Sequence, residues 1–217
     1  MKKVAFIGLG VMGYPMAGHL QKSGYEVCVY NRNQGKALKW QQEFGGDFAD
    51  TPALAAENCE VVFCCVGNDE DVRSVAFGAN GILAGLKEGA TLVDHTTASA
   101  ELARELNDVA TSQGKFFLDA PVSGGQAGAE NGVLTIMCGG EQTTFDRVAP
   151  IMNVYARFSQ LMGKCGSGQL AKMVNQICFE NTVEGLAEGL SFAQKAGLDT
   201  DKLLETISKG AAGSWQM

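Results

Sequence analysis

Apolar residues come in two alternating patterns over the first 120 positions. Short segments at Val4–Ile7, Glu26–Tyr30, Val61–Val66, Thr91–Asp94 and Phe116–Ala120 read as strands, and the nearly continuous apolar run Val61–Val66 as one buried on both faces of a sheet. Between them lie segments with helical spacing: Gly13–Leu20, Gln34–Phe44, Asp69–Phe77 and Ala98–Gln113. Strand and helix in regular alternation predict a doubly wound parallel sheet, an α/β Rossmann fold. A further strand, Val133–Cys138, and a helix, Thr143–Ile151, follow. From Gly168 to about Lys195 there is no proline, and apolar positions recur through Leu170, Met173, Val174, Ile177, Val183, Leu186, Leu190 and Phe192. This predicts one helix of about 28 residues, about 40 Å long, suited to link two domains. A last amphipathic segment begins at Thr200 and runs to Ser208. The expected division is residues 1–163 as a dinucleotide-binding domain, then 164–217 as the interdomain helix and the start of an all-helical domain.

The first predicted turn carries chemistry. Gly8-Leu9-Gly10-Val11-Met12-Gly13 is G-x-G-x-x-G set between a strand and a helix. The first glycine allows the tight turn, the second lets the backbone approach a pyrophosphate, and the third permits close helix packing. At the end of the second strand, an acidic residue would read the adenine ribose of NAD, but Tyr30-Asn31-Arg32-Asn33 stands there. Arg32 can fork onto a 2′-phosphate and stack on adenine, which favours NADP over NAD.

Two later stretches concern the substrate. Pro121-Val122-Ser123-Gly124-Gly125 can offer a hydroxyl and backbone N–H groups to a small carboxylate. Lys172 and Asn175 are three residues apart and share a helix face. Reduction of a carbonyl builds charge on its oxygen, so a proton donor is needed beside it, and Lys172 is the choice. Asn175 would hold the substrate in register. Asp119 and His95 are attractive acid/base residues by chemistry alone; loop organisation is expected of Asp119 and a structural role of His95.

Met12-Gly13-Tyr14-Pro15-Met16-Ala17, Asp119-Ala120-Pro121-Val122-Ser123-Gly124-Gly125 and Gly166-x-Gly168-x-x-x-Lys172-x-x-Asn175 resemble signatures of the β-hydroxyacid dehydrogenase family, which includes 3-hydroxyisobutyrate dehydrogenase. The resemblance implies an NAD(P)-dependent oxidoreductase that interconverts a small hydroxycarboxylate and its aldehyde or keto acid, with Lys172 as general acid/base. It also implies that Val66, Gly67 and Thr96 line the ribose and nicotinamide side. Asparagine and arginine at 31 and 32 resemble the NADP-preferring members. The family's second domain is all-helical and extends beyond what this chain would cover. Full-length relatives pair through that region, so a homodimer or homotetramer is expected. Side-chain selectivity for the substrate is expected of Tyr14, Gln126 and Phe179. The competing reading is a non-catalytic dinucleotide-binding scaffold or oligomerisation module, against which Lys172 speaks.

Composition narrows the partners. A net charge of -7 disfavours nucleic acid and anionic membrane surfaces. Seven cysteines without C-x-x-C or Cys/His clustering predict buried free thiols, no metal site and a reducing compartment. The apolar run Val4–Ile7 is too short for a signal-peptide core, and no stretch is long enough to span a membrane, so a cytoplasmic location is expected.

Overall fold

The computed structural model describes residues 2–217. The chain opens with β1 (Lys3–Ile7), α1 (Gly13–Lys22), β2 (Glu26–Tyr30), α2 (Gln34–Phe44), β3 (Asp47–Phe48) and α3 (Pro52–Ala56). Then come β4 (Val61–Cys64), α4 (Asp69–Ala76), α5 (Ile82–Gly85), β5 (Thr91–Asp94), α6 (Ala100–Ser112) and β6 (Phe116–Asp119). The remainder is β7 (Val122–Ser123), α7 (Gly125–Glu130), β8 (Leu134–Gly140), α8 (Gln142–Met152), β9 (Ala156–Gly163), α9 (Ser167–Lys195) and α10 (Thr200–Ile207).

The sheet runs β3-β2-β1-β4-β5-β6-β8, and β7 and β9 both pair with β8. β1 through β6 are mutually parallel. β8 then lies antiparallel to β6 and β7 and parallel to β9. The doubly wound parallel sheet expected from the sequence is therefore present with a reversed far edge. The reason is connection length: only β7 and the short α7 separate β6 from β8, and a short connection favours an antiparallel neighbour.

Alternation within each strand sends side chains to two cores. Val4 and Phe6 of β1 join Val27, Val29, Phe63, Val93 and Leu118 beneath Met16 and Leu20 of α1 and Trp40 of α2. Ala5 and Ile7 point the other way, to Val62, Leu92 and Phe117 beneath Leu102 and Leu106 of α6. Both faces are covered, which is why these strands are apolar throughout rather than alternating with polar residues. Helix starts are fixed locally: Thr51, Asn68 and Ser99 cap α3, α4 and α6 through their side-chain oxygens.

The chain divides into two compact units, one ending at Lys172 and the other spanning Met173–Met217, so the boundary falls within α9. In the second unit, Phe179 and Trp215 stack with ring centroids 5.6 Å apart, and Asp199 caps α10 by accepting the N–H groups of Asp201 and Lys202. Met173, Val174, Ile177, Val183 and Phe192 are exposed. All seven cysteines are free, but they are not uniformly buried as expected: Cys65 and Cys165 are half-buried and Cys178 is exposed on α9. No helix among the described residues is long and apolar enough to cross a membrane.

Candidate active site

β1 lies inside the sheet, with the chain winding outward through β2 and β3 on one side and through β4, β5 and β6 on the other. The C-terminal ends of β1 and β4 therefore border a crevice, the place where such sheets bind ligands. A cavity of about 810 Å³ opens there, lined among others by Gly8, Gly10, Val11, Met12, Gly13, Asn31, Arg32, Val66 and Gly67.

The glycine turn is held from several sides. Gly8 has φ +97°, and a Cβ there would overlap the Cys65 carbonyl oxygen. A Cβ on Gly13 would overlap the Gly8 carbonyl oxygen. Gly10 differs: a Cβ there meets nothing, so this position faces open space in the cavity. The Leu9 N–H donates to Asn31 Oδ1 at 2.9 Å, and Asn31 Nδ2 donates to the Asn33 carbonyl. Asn31 thus braces the turn. No side chain caps α1 and no acidic residue occupies its first turn, so the helix start is left available to an anion. An open glycine, an uncapped helix start and a cavity at the switch point together fit a dinucleotide.

At the far end of the cavity, Arg32 is highly exposed and its Nη1 lies 3.4 Å from Asp71 Oδ1 on α4. Lys36, in the first turn of α2, also lines the cavity, as do Asp50 and Asp71. Sequence reasoning missed these three. Lys36 lies in the first turn of the helix predicted to follow Arg32, which was the signal for the lysine, whereas Asp71 joins them only through the fold. Thr96 is buried, and its Oγ1 accepts the Val66 N–H at 3.1 Å, tying the end of β4 to the end of β5. It does not serve a helix start; Ser99 does that for α6.

The second group of predicted residues lies elsewhere in the fold. Ser123 ends β7, and Gly124 and Gly125 follow with φ +134° and +60°, a backbone that side chains resist. Lys172 is buried on the first part of α9, and its ammonium has no ion pair or hydrogen bond among the described residues. Burial pushes its pKa below the ordinary lysine value. None of Ser123, Gly124, Gly125, Thr96 and Lys172 lines the 810 Å³ cavity. Asn175 is three residues beyond Lys172 on the same helix, and its Nδ2 donates to Gln176 Oε1.

The helix carrying Lys172 is anchored by two buried side chains. Asp119 Oδ1 accepts the Gly166 N–H at 2.7 Å and Oδ2 accepts the Gln169 N–H at 2.9 Å. Gln169 in turn donates from Nε2 to the Thr96 carbonyl and accepts the Ala98 N–H at Oε1. Asp119 therefore caps α9 from inside the sheet, a larger task than organising its own loop. Gln169 gave no signal in the sequence, because an amide between glycine and leucine reads as helix surface.

His95 is fully buried. Its Nδ1 lies 2.6 Å from the Ala120 carbonyl, which can only accept, so Nδ1 carries the proton and Nε2 accepts from Tyr155 Oη at 2.8 Å. Burial lowers its pKa to about 4, a structural neutral histidine. Next to it in sequence, burial raises the Asp94 carboxyl to about 7, opposed by hydrogen bonds from Thr96. Tyr14 and Gln126, expected near the substrate, are engaged with Glu43 and Glu130 respectively. No cluster of metal-ligating side chains occurs among the described residues.

The family model for the NAD binding domain of 6-phosphogluconate dehydrogenase matches residues 3–168, and the model for NAD-binding of NADP-dependent 3-hydroxyisobutyrate dehydrogenase matches residues 166–217. An uncharacterized oxidoreductase of Shewanella frigidimarina is 60% identical over 100% of this chain, which spans 75% of that protein. A probable 3-hydroxyisobutyrate dehydrogenase-like protein of Arabidopsis thaliana is 47% identical over 98% of this chain, which spans 63% of it. The 3-hydroxyisobutyrate dehydrogenase of Mycobacterium tuberculosis, solved with L-serine, superposes with TM-score 0.89 at 31% identity, over 99% of this chain and 72% of that one. The glycine turn, the crevice beside it and these matches make the chain a member of the β-hydroxyacid dehydrogenase family of NAD(P)-dependent oxidoreductases.

Proposed function

We propose that the protein interconverts a small β-hydroxycarboxylate and its semialdehyde, using NADP in preference to NAD, with Lys172 as general acid/base. The observation that carries this reading is the buried Lys172, without an ion pair among the described residues and held on a helix whose start is tied to Asp119. A lysine with its pKa lowered by burial is suited to cycle between ammonium and amine. In reduction it gives a proton to the carbonyl oxygen, and in oxidation it takes one from the hydroxyl. The bound nicotinamide supplies or accepts the hydride.

Ser123 and the backbone N–H groups of Gly124 and Gly125 hold the substrate carboxylate, and Asn175 orients the substrate. Gly8, Leu9, Gly10, Val11, Met12 and Gly13 take the pyrophosphate, Arg32 and Lys36 the adenine-ribose phosphate, and Val66, Gly67 and Thr96 the nicotinamide side. L-serine, present with the Mycobacterium tuberculosis relative, is itself a β-hydroxycarboxylate and fits this substrate class. The exposed apolar positions of α9, Met173, Val174, Ile177 and Phe192 among them, support a homo-oligomeric assembly.

Turnover of the intact protein over small semialdehydes and β-hydroxyacids with each cofactor tests the reading. Lys172→Met is expected to keep dinucleotide binding and to lose about two or more orders of magnitude in kcat. Full turnover by that variant would overturn the assignment, and no turnover on any such substrate by the unmodified protein would favour a binding scaffold.

A further inference from the structure

The cofactor cavity balances its charges. Arg32 and Lys36 line it with two positive groups, and Asp50 and Asp71 line it with two negative ones. Asp50 is engaged by Gln34 Nε2 at 3.1 Å, whereas Asp71 faces Arg32. A cavity that takes NADP must accept a 2′-phosphate of roughly two negative charges, and this one presents a carboxylate beside the arginine best placed to bind it.

The two partners of that pair differ in exposure. Arg32 extends from the end of β2, its side chain 89% exposed, and meets Asp71 at a single long contact of 3.4 Å. A two-pronged charge-assisted pair is shorter, about 2.7–2.9 Å, so the guanidinium is free to leave for a better acceptor. Asp71 is anchored through its backbone in the first turn of α4, with its side chain 34% exposed. Its own N–H donates to Asn68 Oδ1 in the cap of α4, and its carbonyl accepts from Ser74 Oγ. Its carboxylate lies over Gly67, where any Cβ would overlap it. When Arg32 turns to a phosphate, it leaves an acidic residue of α4 beside that like charge.

We infer that Asp71 is a specificity-determining residue that restrains the preference for NADP, because it competes with the 2′-phosphate for Arg32 and repels it. With NAD nothing draws Arg32 away, so the pair persists and Asp71 costs that cofactor nothing. The result is a site that binds the phosphorylated cofactor less tightly than Arg32 and Lys36 alone would allow, and that keeps NAD usable. This rests on the proposed placing of the adenine-ribose phosphate at Arg32 and refines it.

Calorimetric titration with 2′,5′-ADP and 5′-ADP tests the inference without turnover. Asp71→Asn keeps the side-chain size and removes the charge. It is expected to tighten 2′,5′-ADP about three- to fivefold, the upper part of the range of an exposed charge pair, and to leave 5′-ADP within about twofold. In an Arg32→Ala background the gain should shrink, because competition for the guanidinium is gone and only repulsion remains. No change, or equal gains for both nucleotides, overturns the role of Asp71. Equal affinities of the unmodified protein for the two nucleotides, unaltered by Arg32→Ala, overturn the NADP reading separately. If Asp71→Asn then separates the two nucleotides, the inference stands without that reading; if they stay equal, both fall.

Discussion

The carboxylate of Asp119, at the end of β6, accepts the backbone N–H of Gln169 at the start of α9 from 2.9 Å, across 50 residues of chain. With its other oxygen it accepts the Gly166 N–H, so one buried side chain satisfies two donors at the beginning of the helix that carries Lys172. Gly139 and Gly168 leave room for it, since a Cβ on either would press on the carboxylate. Asp119→Asn must turn an NH₂ group toward one of those two donors. Hydrogen bonds to a charged group contribute about 1.5–3 kcal/mol, so the variant is expected to lose about 2–3 kcal/mol in urea unfolding. Unchanged stability would show that α9 is anchored by Gln169 and packing alone.

The glycine turn separates folding from binding. Gly13→Ala places a methyl on the Gly8 carbonyl oxygen, and Gly8 needs φ +97°, so substitution at either should lower Tm by several degrees. Gly10→Ala meets no atom of the protein and is expected to keep Tm within a degree or so. Yet Gly10 faces the space assigned to the pyrophosphate, so NADPH affinity should fall about tenfold or more. Tight NADPH binding by a folded Gly10→Ala protein would move the pyrophosphate elsewhere.

Much of this architecture was legible in the chain because both faces of the sheet are covered. Val61–Cys64 has all its residues buried, and such runs read as strands without help from their neighbours. α2 was expected at Gln34–Phe44 and is found there, closed by Gly45 at φ +81°. β9 was not foreseen, because Ala156–Gly163 is largely exposed and its composition mixes polar and apolar residues without a buried face. β8 supplies its pairing, and that is tertiary information. In the site, motifs identified residues whose backbone or charge has a fixed spacing, as in Gly8 to Gly13. They did not identify Asp71 or Gln169, whose partners lie 39 and 73 residues away in the chain.

His95 and Asp94 are expected to make opposite contributions to stability over nearly the same pH range. Burial holds His95 at about 4, below its ordinary 6.5, so the unfolded chain binds the extra proton and His95 stabilises less as pH falls from 6.5 to 4. Asp94 is raised from 3.8 to about 7, so its contribution is complete below 3.8 and is lost as pH rises toward 7. His95 contributes roughly 3 kcal/mol and Asp94 roughly 4 kcal/mol, and in the unmodified protein the two largely cancel. His95→Gln should therefore lose stability as pH rises from 4 to 7, and Asp94→Asn should gain it over the same interval. Denaturation curves at three pH values for each variant decide this; parallel pH dependence in both would show that other groups dominate.

Lys172 should reveal itself in opposite pH dependences of the two reaction directions. Reduction needs the ammonium and oxidation needs the free amine, so kcat/KM for oxidation should rise with pH while that for reduction falls. Burial lowers the pKa, which places the inflection below the ordinary lysine value of 10.5. The same burial has a stability consequence. The folded pKa lies beneath the unfolded one, so a charged Lys172 costs stability at neutral pH, a cost relieved as pH rises through the folded value toward 10.5. Lys172→Met fills similar space without a charge and is expected to raise Tm at pH 7 while abolishing the inflection in both directions. An inflection that survives in Lys172→Met assigns the proton to another group, and a lowered Tm would mean that Lys172 is stabilised by contacts which offset its burial.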